Sequence, residues 1–275
     1  MKGSIAAELF VLRKRASTWI LLAIWLVLGM FFNYLLPYLT YRNNAGSPTQ
    51  PPLTPLLPQG LIGTLVNAFP FYGGAIVLML GALSLGSEYG WDTLKTLFTQ
   101  RPRRLRLFAA KLIAAGIALV PFVLLLYACG AIASDVIARL EGAPVAWPAA
   151  GLILRAVLAG WFILAVWTAF GVLLAALSRG TALAIGVGML YALVVEGLLS
   201  AFASDLSFLQ PVVKLFLRAN AYSLVKPLGA SLSAGGPGAF AGPFVGGTLA
   251  FVVLALYLTA FVALAALVLH RRDVV

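Results

Sequence analysis

Few side chains in these 275 residues could do chemistry. The single cysteine, Cys129, lies in an apolar run, so neither a disulfide framework nor a cysteine metal site can be built. The single histidine, His270, sits near the C-terminal end. An enzyme working inside a membrane would need a histidine, an acid pair or a metal cluster in its apolar segments, and none is written there. No GxxxxGK[ST] phosphate loop or other nucleotide-binding signature occurs. Two features remain. Glu196 stands alone in the apolar stretch YALVVEGLLSAF, and residues 87–111, SEYGWDTLKTLFTQRPRRLRLFAAK, carry six of the nineteen Lys and Arg.

The elements that would position these residues follow from composition. The chain is 62% hydrophobic and 10% charged, with mean hydropathy +1.02. A soluble domain is about 45–50% apolar and about 25% charged, so this is a membrane protein. A bilayer core needs roughly 20 apolar residues as helix. Six runs meet that: 17–39, 61–85, 112–134, 152–177, 182–202 and 245–269. They are continuous rather than alternating, which excludes a β-barrel. They are expected to be helices, because backbone groups in lipid must bond within their own segment. The first run is longer than a signal peptide's apolar core of roughly 7–15 residues, so it is expected to remain as a span.

Six spans put both termini on one side, and basic residues choose the side. With the N-terminus cytoplasmic, thirteen basic residues fall inside: Lys2, Arg13, Lys14, Arg15, Lys95, Arg101, Arg103, Arg104, Arg106, Lys111, Arg179, Arg271 and Arg272. Six fall outside: Arg42, Arg139, Arg155, Lys214, Arg218 and Lys226. The net charge of +11 therefore reads as topology and anionic headgroups, and no nucleic-acid partner is expected.

The connections differ. Residues 1–15 put Ile5, Leu9 and Leu12 on one helical face and end in Arg13, Lys14 and Arg15, the pattern of an amphipathic helix on the membrane surface. Residues 41–60 hold Pro48, Pro51, Pro52, Pro55 and Pro58 and are expected to be extended, without helix. Residues 178–181 form a tight turn. Residues 203–244 are the longest outer connection; PVVKLFLRANAYSLV within it suits a helix lying in or dipping into the outer interface. Span four carries Gly160 and Gly171 and span five Gly186 and Gly188, which would allow close helix packing.

A charge at mid-bilayer costs about 2.5–3.5 kcal/mol on insertion scales. Glu196 must therefore be protonated, paired or facing an aqueous cavity. It is a candidate for a translocation path or a subunit interface. The alternative is a carboxyl bonded to a neighbouring helix, or one nearer the outer interface. In residues 87–111, Glu88 follows span two, and Asp92 and Thr93 suit the positive end of a helix dipole. Leu94, Leu97 and Phe98 recur at helical spacing with Lys95 opposite, and Pro102 ends the pattern before Arg103 and Arg104. Topology explains the arginines. It does not explain an apolar face on a short cytoplasmic helix, which needs a membrane surface or a protein groove to cover it.

This segment resembles that of the type-2 ABC-transporter permeases, the ABC-2 superfamily. Their second and third spans flank a Glu, then Gly-Thr, a basic residue, a Leu-rich turn, Pro, a basic pair and a Lys opening the next helix. The matching positions are Glu88, Asp92-Thr93, Lys95, Leu97-Phe98, Pro102, Arg103-Arg104 and Lys111, with Asp92 standing where Gly is common. The resemblance implies an all-α integral membrane protein of six transmembrane helices. It adds an N-terminal amphipathic interfacial helix, a cytoplasmic coupling helix between spans two and three, and an external interfacial or re-entrant segment before span six. It implies one permease domain over residues 1–275, in a bacterial inner membrane, that is not itself an enzyme. Its partners would be a cytoplasmic ABC ATPase, a second permease subunit in a homo- or heterodimer, and membrane lipids. ATP and Mg would sit on the ATPase, with no cofactor on this chain. The ATPase-coupling residues would be Glu88, Thr93, Leu94, Lys95, Leu97, Phe98, Pro102, Arg103 and Arg104, and the chain would work in an exporter. A secondary transporter or channel using Glu196 is the alternative.

Overall fold

A computed structural model describes residues 1–90, 104–202, 206–230 and 245–271. Thr93, Leu94, Lys95, Leu97, Phe98, Pro102 and Arg103 lie outside the described residues. Among the described residues all regular structure is helical. Six segments are long and apolar enough to cross a membrane: Ala16–Asn43, Pro58–Tyr89, Leu105–Leu140, Ala150–Ser178, Thr181–Ser200 and Gly247–Arg271. Each overlaps one of the six apolar runs. An N-terminal helix, Lys2–Lys14, precedes them, and a shorter helix, Leu217–Val225, lies between spans five and six.

Span two is the most enclosed of the six and span six the least. Span two lies directly on span four, and glycine sets how close they come. A Cβ on Gly81 would stand 2.1 Å from the carbonyl oxygen of Thr168, and one on Gly171 would stand 2.1 Å from that of Leu78. The two backbones touch with no side chain between them, the close approach that small residues permit in membrane bundles. Of the other glycines expected at contacts, Gly160 meets the Phe69 ring and Gly188 meets Leu78, whereas Gly186 faces open space. Two indole N–H groups tie the periphery to span three: Trp25 Nε1 donates to the Phe122 carbonyl at 2.7 Å and Trp161 Nε1 to that of Gly116 at 2.9 Å. A buried indole needs such a partner.

Three features depart from the sequence pattern. The Pro-rich connection is not wholly extended: residues 54–56 and 58–60 form 3₁₀ turns, with Pro55 and Pro58 in their first positions, where a missing N–H costs nothing. Span three is much longer than its apolar run. Its helix runs Arg104–Leu140, so Arg104, Arg106 and Lys111 are helical rather than loop; at 1.5 Å per residue its length is about 55 Å, against a hydrocarbon core of about 30 Å. Three spans also contain a wide π-helical turn, at Phe31–Leu35, Phe69–Gly73 and Leu190–Val195. Proline accounts for two of them: Pro37 just after the first and Pro70 within the second each lack the N–H that would close a normal turn.

Gly171→Leu has no room, because the obstacle is backbone. It should cost about 3 kcal/mol, the upper end for overpacking, and lower the thermal midpoint of the detergent-solubilised protein sharply. Gly186→Leu, with nothing within 4 Å of its Cβ, should stay within about 0.5 kcal/mol of wild type. Equal midpoints for the two variants would refute the close contact.

Candidate functional site

The N-terminal helix packs along the start of span three. The face it turns inward holds Ser4, Ile5, Glu8 and Leu12, spaced three and four apart as one helical stripe. Glu8 meets Lys111, whose Nζ lies 2.8 Å from Glu8 Oε2 and 2.5 Å from Glu88 Oε1. The Lys111 side chain is 8% exposed and that of Glu88 10%. Lysine and glutamate are almost never this buried unless paired. The chain bends at Arg15, which takes extended backbone angles between the N-terminal helix and span one. Arg15 Nη1 then donates at 2.9 Å to the Leu83 carbonyl in span two, which also accepts from Ser87 Oγ. The Arg15 charge also acts on Glu88. Two carboxylates and two cations thus share one half-buried cluster with no net charge. It joins the N-terminal helix to the end of span two and the start of span three, the two points from which residues 91–103 depart.

Of the residues expected to couple to an ATPase, Glu88 lies in this cluster and Arg104 lies in the span-three helix. The other seven fall outside the described residues. The three basic residues expected at the membrane surface divide. Arg13 and Lys14 are exposed, with the Lys14 ammonium 5.6 Å from the centre of the Phe10 ring, while Arg15 turns inward to Leu83. Glu8 was not singled out by sequence reasoning. Its signal was present: it falls on the same helical stripe as Leu12, where a charge needs a partner.

Glu196 is fully buried, four residues from the Ser200 end of span five. Its carboxylate accepts the backbone N–H of Leu217 at 2.8 Å on Oε1 and that of Arg218 at 3.1 Å on Oε2. These are the first amides of the Leu217–Val225 helix, so Glu196 caps that helix from another element. An anion is favoured there by free N–H groups and by the helix dipole. Tyr191, in the π turn of span five, lies beside Glu196. The Arg218 side chain turns away and covers the rings of Phe71 and Tyr222, at 5.5 and 5.7 Å. Tyr222 is buried in the capped helix, and desolvation holds its phenol above the ordinary value. Tyr257 of span six donates to the Leu215 carbonyl at 2.8 Å. The capped helix is therefore held by spans two, five and six.

At the far end of span three, Glu141 accepts from Tyr38 at 2.7 Å and Arg42 at 3.0 Å, both on span one. These two bonds hold the Glu141 carboxyl below its usual range, the Tyr38 hydroxyl first. Among the described residues no group of three or more His, Cys, Asp or Glu side chains is placed to hold a metal ion.

Lys111→Met leaves two buried carboxylates facing each other and should cost about 3–5 kcal/mol, the penalty for removing one partner of a buried pair. Adding Glu8→Gln and Glu88→Gln should recover most of the lost thermal stability. A triple variant no more stable than Lys111→Met would refute the pairing. Glu196→Ala should remove about 1–2 kcal/mol as a lost cap and speed hydrogen exchange at Leu217 and Arg218. Glu196→Gln keeps an acceptor and should lose less. Unchanged exchange at both amides in Glu196→Ala would show that the cap does not hold the helix.

Comparison with known proteins bears on residues 4–195, which match the family described as ABC-2 family transporter protein. No curated protein matches the chain. The matched region takes in the N-terminal helix, the ion cluster and spans one to four, and reaches the π turn of span five. It covers well over half of the sequence, and this chain belongs to the ABC-2 family of transporter proteins.

Proposed function

We propose that this chain forms the translocation path of an ATP-driven exporter and takes its energy from a separate cytoplasmic ATPase that docks on the segment carrying Thr93, Leu94, Lys95, Leu97 and Phe98. Family membership supports a membrane-spanning permease subunit of an ABC transporter. In the fuller reading the permease works as a homo- or heterodimer in a bacterial inner membrane, with both termini cytoplasmic. ATP and Mg belong to the partner.

The observation that carries the reading is the Glu88–Lys111 pair. Both ends of the docking segment are tied together at its base and tied again to the N-terminal helix through Glu8. A push on the segment therefore reaches span two, span three and the N-terminal helix at once. Span two hands it to span four, because their backbones are in contact at Gly81 and Gly171. The apolar positions Leu94, Leu97 and Phe98 supply the surface a groove on the ATPase would cover. An ATPase-independent transporter would need Glu196 as an ion site, but both of its oxygens already accept backbone N–H groups.

The test is a pull-down of the detergent-solubilised chain with a small ATPase encoded beside it, wild type next to Leu97→Asp and Phe98→Asp. The expected result is ATPase retained by wild type, and binding or coupled transport lost in both variants while the purified variants keep the wild-type thermal midpoint. Full transport by either variant with the ATPase still bound would remove the coupling role. No ATPase bound by wild type would overturn the exporter reading.

A further inference from the structure

Spans three, four and six leave between them a cleft of about 450 Å³ that is open on one side. Its walls include Ile113, Gly116 and Val120 of span three, Trp161 and Ala165 of span four, and Leu258 of span six. No charged residue lines it. The polar groups at its edge are already used: the Trp161 N–H is bonded to the Gly116 carbonyl and the Thr168 hydroxyl to the Leu164 carbonyl. Water would find no partners there. Gly116 keeps the wall of the cleft low; a Cβ there would be in ordinary contact with the Trp161 ring, at 3.5 Å. Along span three the cleft extends over residues 112–120, about 12 Å of helix. Such a groove within three membrane-crossing helices suits hydrocarbon.

The helix also offers something for the other end of that molecule. Arg106 is exposed and precedes Ile113 by seven residues, two helical turns, so it lies on the same face about 10 Å nearer the helix start. A long arginine side chain can reach along the helix to the headgroup level. We propose that this cleft is a binding site for one anionic phospholipid, with an acyl chain between spans three, four and six and its phosphate at Arg106. The site is separate from the ion cluster around Lys111, and it does not depend on the ATPase reading.

The test places the purified chain in phosphatidylcholine nanodiscs with a phosphatidylglycerol that carries a diazirine on one acyl chain. Photolabelled positions are then mapped by digestion and mass spectrometry. The expected result is saturable labelling within residues 113–120 or at Trp161. Unlabelled phosphatidylglycerol should displace it about fivefold better than phosphatidylcholine, the preference that one arginine near a membrane surface supplies. Arg106→Ala should abolish that preference. Gly116→Leu, or Val120→Phe as an independent filling variant, should remove the cleft labelling and leave labelling unchanged at Ile132, an outward-facing residue of the same helix. Cleft labelling that rises with lipid as at Ile132, without saturating, would overturn the site. A headgroup preference unchanged in Arg106→Ala would overturn the phosphate contact.

Discussion

The ammonium of Lys111, enclosed between Glu8 and Glu88, is the interaction on which the rest of the arrangement depends. Any one of these charges left alone in so dry a place would be costly by several kcal/mol. None of the three can therefore move without the others. They come from three segments far apart in sequence: the N-terminal helix, the end of span two and the start of span three. A hydrophobic contact at this point would let the segments slide. Two charge-assisted bonds on one nitrogen fix both distance and direction. Arg15 adds a second crossing, from the bend before span one to the Leu83 carbonyl.

The stiffness set at this cluster continues into the bundle for part of its depth. Between Glu88 and Gly81 span two is ordinary helix, and at Gly81 and Gly171 it lies on span four with no side chains to absorb a shift. Farther along, span two opens into the wide turn Phe69–Gly73, facing the similar turn Phe31–Leu35 of span one. The contact there is aromatic: the Phe32 ring lies 6.1 Å from Tyr72 and 6.2 Å from Phe71. Asn33 Nδ2 also donates to the Tyr72 hydroxyl at 3.0 Å between the two turns, and wide turns recur at functional sites. The half of the bundle near Lys111 is thus braced by charge and close backbone contact, and the other half adds irregular turns and aromatic contacts to the Glu141 and Glu196 bonds.

How much of this was legible in the sequence follows the range of each interaction. The six spans could be read because lipid demands long apolar runs. The N-terminal helix could be read from the spacing of Ile5, Leu9 and Leu12. Which neighbour that face meets could not, because lipid and another helix accept the same apolar side chains, and only Glu8, paired across 103 residues, distinguishes them. Glu196 announced itself as a lone charge in a span. Its partners are backbone amides, which every residue carries and no sequence pattern marks. The Pro-rich connection read as extended because proline disfavours helix interiors; the same prolines suit the first positions of 3₁₀ turns.

Glu88 and Glu196 solve one problem by different means, and the difference limits what each can do. Glu88 is balanced by the Lys111 side chain, so it ties one span to another and moves only with it. Glu196 is balanced by amides at the start of the Leu217–Val225 helix, and these cannot leave without the helix. A substrate or ion that sought the Glu196 carboxylate would have to displace that helix from its seat. Arg218 would come off the Phe71 ring and Tyr257 would release the Leu215 carbonyl. Any part that Glu196 plays in translocation therefore runs through movement of the Leu217–Val225 helix. Its buried carboxyl acts as a pin for a segment rather than as a binding group held open in the path.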